Sequence, residues 1–250
     1  MSTRSTTEIK GVGFILRLAR AKEADVLVKI LTASGEKITA FAKAGLKSRK
    51  RFGGSLQPLL HVDFRATKKP QQEMYFLEET IVRHDFANLK NQIERFASAS
   101  YIAELTEHSA QEGLENVEIY NLFGASMRAL EAGLPWEGVL RQFEVKLLSL
   151  MGWLPAFQIC AQCGEKKGLS LNASEGVVTC EDCGISAVAI SEEIQNLIHR
   201  LLSTSVAKNN LEEKESRKVE RITSALLGSH WGHQKFKSVQ FLGSLRRFQK

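Results

Sequence analysis

The stretch Val26-Leu-Val-Lys-Ile-Leu-Thr-Ala-Ser-Gly-Glu-Lys-Ile-Thr-Ala-Phe41 contains two short apolar runs separated by a Ser-Gly break. Short runs rich in β-branched residues and bounded by turn residues are typical of strands. Similar runs lie on either side, at Gly13–Leu18, Leu59–Phe64 and Met74–Leu77. Five short strands within about 80 residues favour a small closed barrel of the OB type. On pattern alone, an SH3-like barrel or a sandwich is the alternative.

Beyond Asp85 the apolar residues fall three or four positions apart, which predicts helices. The first is expected over about residues 88–111, with Ile93, Phe96, Tyr101, Ile102 and Leu105 facing inward. Further helices are expected over residues 119–134, from Pro135 to 151, and over 191–203, 211–227 and 239–248. Pro135 favours the start of a helix, and Ser191 is a good N-cap residue before Glu192.

All four cysteines lie close together, as Cys160-Ala-Gln-Cys163 and, sixteen residues later, Cys180-Glu-Asp-Cys183. Two C-x-x-C pairs at this separation match a structural zinc site with four thiolate ligands. Each pair is followed by glycine, which tolerates the positive φ of a tight turn. Two disulfides, an iron–sulfur cluster and redox thiols are the alternatives. Four sulfur ligands leave no open position on the metal, so one structural zinc ion is expected.

These patterns predict an α+β chain: an N-terminal OB-fold β-barrel followed by an α-helical domain that carries a four-cysteine zinc-ribbon insertion. The predicted divisions are residues 1–82 for the barrel, 83–158 and 190–250 for the helical domain, and 159–189 for the ribbon.

Composition excludes several classes of protein. The 250 residues are 43% hydrophobic and 25% charged, as in an ordinary globular chain, and the 4 prolines and 18 glycines exclude a disordered or collagenous one. No run approaches the roughly 18 apolar residues of a membrane span, and residues 1–8 lack the apolar core of a signal peptide. We therefore expect a cytoplasmic protein.

Positive charge is concentrated at the start of the chain. Residues 1–85 hold 16 Lys and Arg against 9 Asp and Glu, a net charge of +7. Residues 86–159 have a net charge of −4, and residues 160–250 one of +3. This asymmetry indicates that a polyanion binds near the start. A solvated surface with uneven charge is the alternative.

The densest cations lie in Lys43-Ala-Gly-Leu-Lys-Ser-Arg-Lys-Arg-Phe-Gly-Gly54, between two predicted strands. Such a mobile basic loop would neutralise phosphates without sequence preference. Phe52 and the barrel aromatics Phe14, Phe41 and Tyr75 would stack on bases, with burial in the barrel as the alternative for each of them. The candidate DNA-binding residues are Arg17, Arg20, Lys22, Lys37, Lys43, Lys47, Arg49, Lys50, Arg51 and Phe52.

Motifs of catalysis are absent from the sequence. Gly45-Leu-Lys-Ser48 lacks the upstream glycine of a Walker motif, and there is no H-E-x-x-H or G-x-S-x-G sequence. His230 and His233 have no nearby carboxylate or cysteine to complete a metal site, so a surface loop is expected there. The protein is therefore expected not to be an enzyme.

Several segments of the sequence look like segments of one bacterial protein family, and they occur in the same order along the chain. Lys37-Ile-Thr-Ala-Phe-Ala-Lys-Ala-Gly45 and Arg51-Phe-Gly-Gly-Ser-Leu-Gln-Pro58 look like that family's strand, basic loop and return. Leu140-Arg-Gln-Phe-Glu144 with Met151-Gly-Trp153 looks like its central helix, and the cysteines stand where some members carry a zinc ribbon. Through these segments, which are spread over nearly its whole length, the chain resembles the RecO family of recombination mediators.

The resemblance implies a DNA repair role in the RecF-type pathway. It implies binding of single- and double-stranded DNA, annealing of complementary strands and, with RecR, loading of RecA onto strands coated by single-stranded DNA-binding protein. It also implies a bacterial, nucleoid-associated location. On the central helix, it implies that Arg141, Phe143 and Leu147 bind the acidic C-terminal tail of single-stranded DNA-binding protein; an ion pair of Arg141 with Glu144 or Glu137 is the alternative. The competing function is that of a zinc-ribbon adaptor whose basic face binds RNA.

Overall fold

The fold is taken from a computed structural model, which describes residues 6–184, 188–232 and 236–248. Five strands form a sheet in the first part of the chain: β1 (Thr7–Arg20), β2 (Val26–Thr32), β3 (Lys37–Ala42), β4 (His61–Lys68) and β5 (Tyr75–His84). The helices are α1 (Arg49–Phe52), α2 (Ile93–Ser109), α3 (Val117–Glu131), α4 (Trp136–Leu150), α5 (Glu192–Ser203), α6 (Glu213–Trp231) and α7 (Lys237–Phe248). A second small sheet contains β6 (Ser170–Asn172), β7 (Val177–Thr179) and β8 (Val188–Ala189).

The first five strands close into a barrel in the order β1-β2-β3-β5-β4, as the strand pattern predicted. Every neighbouring pair is antiparallel except β3 and β5, which pair in parallel with Ala40 opposite Tyr75. Side chains alternate across the barrel wall: Ile38, Ala40 and Ala42 point into the core, whereas the residues between them face outward. This alternation is the period of two that is typical of β-strands.

The basic stretch contains a short helix rather than an extended loop. Residues Arg49–Phe52 form α1, which ends at Gly53 with φ of 51°, a left-handed conformation that favours glycine. Four helical residues are too few to give a periodic pattern, which is why the sequence did not reveal them.

Helix α2 differs from its prediction in which residues it buries. Tyr101, Ile102 and Leu105 are buried as expected, but Ile93 is 50% exposed and Phe96 is 40% exposed. The buried face starts one turn later, at the small residues Ala97 and Ser98, which allow close packing. The first turn of α2, which follows a 3-10 turn at Ala87–Asn91, therefore lies outside the packed face.

The chain divides into two compact units, Met1–Gly124 and Ala125–Lys250. In the second unit, α4 packs against α5 and α6. The buried Gln142 amide donates to the carbonyls of Leu201 (3.0 Å) and Thr204 (2.9 Å) and accepts from Asn209 (2.7 Å), so it fixes α4 to the segment after α5. The finer domain divisions expected from the sequence stay a prediction. Among the described residues, no helix is both long and apolar enough to cross a membrane.

Candidate metal centre and nucleic-acid interface

The four cysteine sulfurs form one cluster in the second unit. The Sγ atoms of Cys160, Cys163, Cys180 and Cys183 all lie within 4.8 Å of one another, with Cys163 and Cys180 3.6 Å apart. Cys160 and Cys180 are buried, whereas Cys163 is exposed. This arrangement brings together all four predicted ligands.

Two tight turns place the sulfurs. The Gly164 N–H donates to the Cys160 carbonyl at 3.0 Å, and the Gly184 N–H donates to the Cys180 carbonyl at 3.2 Å. Gly164 has the positive φ (77°) that the sequence suggested for both glycines. Gly184 is required for a different reason: a Cβ there would lie 2.7 Å from the Thr179 hydroxyl. The N–H of Ala161 donates to the Val178 carbonyl at 2.8 Å and ties the first turn to β7.

The electrostatics of the cluster suit a metal ion. The backbone N–H of Cys163, with further contributions from those of Cys180 and Gln162, lowers the pKa of the Cys160 thiol to about 6. The Cys163 side chain, with that of Cys180, raises the pKa of the Cys183 thiol to about 12. Four thiols this close cannot all ionise without a cation between them. The donor set therefore fits a four-coordinate metal with soft ligands.

A second candidate site lies at one end of the barrel, where two segments meet. The Ala44 N–H donates to the Asp25 carboxylate at 2.7 Å, and the Leu46 N–H donates to the Ala24 carbonyl at 3.1 Å. These bonds join the β1–β2 turn to the segment between β3 and α1. The turn that carries Asp25 thus holds the basic segment in place.

Six predicted DNA-binding residues are exposed on these two joined segments or at the ends of β1 and α1 that border them, and we call them the barrel-end cluster. They are Arg20, Lys22, Lys43, Lys47, Arg49 and Lys50. In the part of the chain that the structure describes, none of the six forms an ion pair. Their positive charge is therefore available to a bound polyanion.

Arg51 and Phe52 are adjacent to the barrel-end cluster, but their side chains already make contacts within the protein. Arg51 donates to the Ser48 hydroxyl at 3.1 Å and to the Lys43 carbonyl, and its guanidinium lies 4.8 Å from the Phe52 ring centroid. Phe52 is 3% exposed and belongs to the barrel core. In this structure, Arg51 shapes the basic segment, and the Phe52 ring would have to leave the core to stack on a base.

Arg17 and Lys37, two further predicted DNA-binding residues, converge with Lys29 on Glu107 of α2. The Glu107 carboxylate lies 2.6 Å from Lys29 Nζ and 3.4 Å from Arg17 Nη1, and its backbone carbonyl accepts from Lys37 Nζ at 2.6 Å. Burial, with the nearby Lys29 charge, lowers the pKa of Lys37. No local sequence signal marks Glu107, because its cationic partners lie 78 and 90 residues earlier.

The predicted partner-binding residues lie in the interior of the helical unit. Arg141 is 4% exposed, and its Nη1 lies 3.0 Å from the Glu144 carboxylate and 3.6 Å from that of Glu220. Phe143 and Leu147 are fully buried beside it. A partner's carboxylate can reach Arg141 only if this packing opens.

His230 lies on a helix and not on the surface loop that the sequence predicted. His230 lies in the last turn of α6, where its ring stacks on Trp153 at 4.2 Å between centroids. His233 lies outside the described residues.

These features define a class of two-unit α+β proteins. The first unit is an OB-type barrel with a cationic end, and the second is a helical unit with a four-cysteine ribbon. Comparison with known proteins then identifies the family. The family model "Recombination protein O N terminal" matches residues 6–86, and "Recombination protein O C terminal" matches residues 90–240. The chain belongs to the recombination protein O family.

Three relatives show how far this similarity extends. The DNA repair protein RecO of Anaeromyxobacter sp. (strain K) is 33% identical over 178 residues, 70% of each chain. That of Alkaliphilus metalliredigens is 31% identical over 215 residues, 84% of this chain and 85% of its own. That of Syntrophus aciditrophicus is 25% identical over 258 residues, 99% of each chain.

Proposed function

We propose that this chain is a DNA-binding recombination mediator that acts in DNA repair. It binds single- and double-stranded DNA and anneals complementary strands. The observation that carries this proposal is the barrel-end cluster: six exposed cations on or bordering two joined segments, without ion pairs among the described residues. Family membership and the names of the relatives support the same conclusion.

The mechanism is electrostatic. Lys and Arg side chains neutralise phosphates and release condensed counterions, which gives affinity without sequence preference. When two strands bind the same cationic surface, their mutual repulsion falls, and base pairing then supplies the specificity. No covalent bond of the DNA is made or broken in this process, so the proposed activity is not enzymatic.

The proposed partners follow from the family. With RecR, the protein acts in the RecF-type pathway and helps load RecA onto strands coated by single-stranded DNA-binding protein. Its place is the bacterial cytoplasm, at the nucleoid. The assignment of Arg141, Phe143 and Leu147 to the acidic tail of single-stranded DNA-binding protein stays a prediction, and it requires their packing to open.

The four-cysteine cluster is proposed to hold one structural zinc ion. Cys160, Cys163, Cys180 and Cys183 would be its ligands, and a closed set of four thiolates leaves no position for a substrate. When bound, zinc supplies a cross-link between the two turns of the ribbon. The backbone N–H groups of those turns stabilise the thiolate form of the ligands.

Strand annealing tests the proposed function directly. Two complementary oligonucleotides, one with a fluorophore and one with a quencher, are mixed with and without the protein at low salt. The proposal predicts faster quenching with the protein, without any nucleotide cofactor, and suppression of this effect by high salt. An annealing rate that the protein does not change would contradict it.

A further inference from the structure

Two phenylalanines on the outer wall of the barrel line a groove beside the barrel-end cluster. Phe41 of β3 and Phe76 of β5 are direct partners in the parallel pairing of these strands, with ring centroids 5.6 Å apart and ring planes at 75°. Both are half-buried, and neither belongs to the barrel core. Their flanking residues Ala40, Ala42 and Leu77 fill that core, so the two rings face the opposite side of the wall.

The groove is open and mostly apolar. It has a volume of about 380 Å³ and is lined by Phe41, Gln72, Glu73, Met74 and Phe76. Met74 is 42% exposed. An open cleft lined by aromatic and apolar side chains with a few polar groups is typical of a ligand-binding site.

Two exposed lysines lie close to the lining residues along the chain. Lys43 of the barrel-end cluster follows Phe41 by two residues. Lys69 lies in the turn that supplies Gln72, since the Gln72 N–H donates to the Lys69 carbonyl at 3.0 Å. Glu73 is the carboxylate among the lining residues. The aromatic rings therefore lie on segments that also carry positive charge.

We propose that this groove, called the Phe41–Phe76 groove, stacks an unpaired base of single-stranded DNA. An unpaired strand offers flat apolar faces and regularly spaced phosphates, which match the rings and the lysines on the same segments. In a duplex, the base faces are covered by their neighbours, so the groove adds affinity only for unpaired strands. The inference rests on the proposed DNA-binding function and adds to it the strand state that the barrel recognises.

The test distinguishes affinity for the bases of DNA from affinity for its phosphates. Affinity is measured for an oligothymidine strand and for an abasic phosphodiester strand of the same length and charge. The parent protein is expected to bind the oligothymidine about 5- to 100-fold more tightly than the abasic strand. Phe41→Ala and Phe76→Ala should each reduce oligothymidine affinity within that same range and leave abasic-strand affinity unchanged.

Ile81→Ala is the matched control, because Ile81 is 64% exposed, lies on β5 like Phe76, and does not line the groove. It should keep the parent's preference for bases. If an alanine variant fails to fold, Phe41→Leu and Phe76→Leu keep apolar volume but lose the aromatic face, and they should also reduce the preference.

The possible outcomes have different consequences. Equal affinity of the parent for both strands overturns the stacking inference while DNA binding stands. A preference for bases that survives both phenylalanine substitutions places stacking elsewhere and also overturns it. A parent that binds neither strand contradicts the proposed function itself.

Discussion

Lys29 Nζ lies 2.6 Å from the Glu107 carboxylate, and this ion pair joins the outer wall of the barrel to helix α2. Arg17 approaches the same carboxylate at 3.4 Å, and Lys37 donates to the Glu107 carbonyl. Two groups of cations in the first 85 residues therefore differ in their role. Arg17, Lys29 and Lys37 form the first group, which stabilises the packing of α2 on the barrel. The second group is the barrel-end cluster, which is proposed to bind a polyanion.

Glu107→Gln tests the structural role of the first group. Glu107 is 5% exposed, so loss of its charge leaves Lys29 and Arg17 facing each other without a counterion. Lys29 is 35% exposed, and solvent screening limits the effect. We expect a loss of about 1–3 kcal/mol in the free energy of unfolding, measured with urea.

Glu79→Gln is the control for this measurement, since the Arg65–Glu79 pair is partly exposed and its loss should lower the free energy of unfolding less than Glu107→Gln does. Equal unfolding midpoints for Glu107→Gln and the parent protein would show that the pairing of Lys29 and Arg17 with the Glu107 carboxylate does not stabilise the fold.

Arg141→Ala tests whether Arg141 is a structural residue or a free binding residue. Glu144 is 1% exposed and also accepts from the Thr223 hydroxyl at 2.6 Å. Without Arg141 a buried carboxylate loses its counterion, and we expect destabilisation by about 3–5 kcal/mol in thermal or urea unfolding.

The double substitution Arg141→Met with Glu144→Gln removes both charges and should recover most of that loss. An Arg141→Ala protein as stable as its parent would instead mean that the guanidinium is available to a partner's carboxylate, as the family resemblance implies.

The sequence revealed those parts of the structure that depend on local pattern. The barrel strands were recognisable as short apolar runs bounded by turn residues, and the thiol cluster was recognisable from the spacing of Cys160 to Cys183. Helix α1 was missed because four residues carry no periodicity. The outward position of Ile93 and Phe96 was missed because a periodic pattern does not show where on a helix packing begins.

The ion pairs could not be predicted because they join residues far apart in the chain. Glu107 meets Lys29 across 78 positions, and nothing near either residue marks the other. For the same reason, Arg17 and Lys37 could not be distinguished from the barrel-end cluster by sequence. Phe41 was a candidate for base stacking from the sequence, but its pairing with Phe76 was not predicted, because the parallel pairing of β3 with β5 follows from barrel closure and not from neighbouring residues.

Metal analysis tests the four-cysteine site. The purified protein should contain about one zinc ion per chain, and Cys160→Ser should lose that zinc and unfold at a lower temperature. The same variant should keep most of its DNA affinity at a temperature where it is folded, since the barrel-end cluster lies in the other unit.

Glu181→Gln is the control for the metal measurement, because Glu181 is exposed, lies beside Cys180 and is not a predicted ligand. Equal zinc content in Cys160→Ser and the parent protein would refute the site.

The central claim is that the barrel-end cluster binds phosphates, and the salt dependence of DNA affinity tests it most directly. A triple variant with Lys47, Arg49 and Lys50 each changed to Ala is compared with one in which the exposed Lys90, Lys208 and Lys214 are changed to Ala. Both lose three positive charges, but only the first loses them from the cluster. Affinity for a fluorescent single-stranded oligonucleotide is measured as salt is raised.

If the cluster binds phosphates, the first variant binds DNA more weakly. Its slope of log affinity against log salt becomes shallower by about 0.7 for each phosphate that is no longer neutralised, or about 2 in all. The second variant keeps a slope close to that of the parent protein. Equal slopes for both variants and the parent would contradict the claim and place the DNA path elsewhere on the protein.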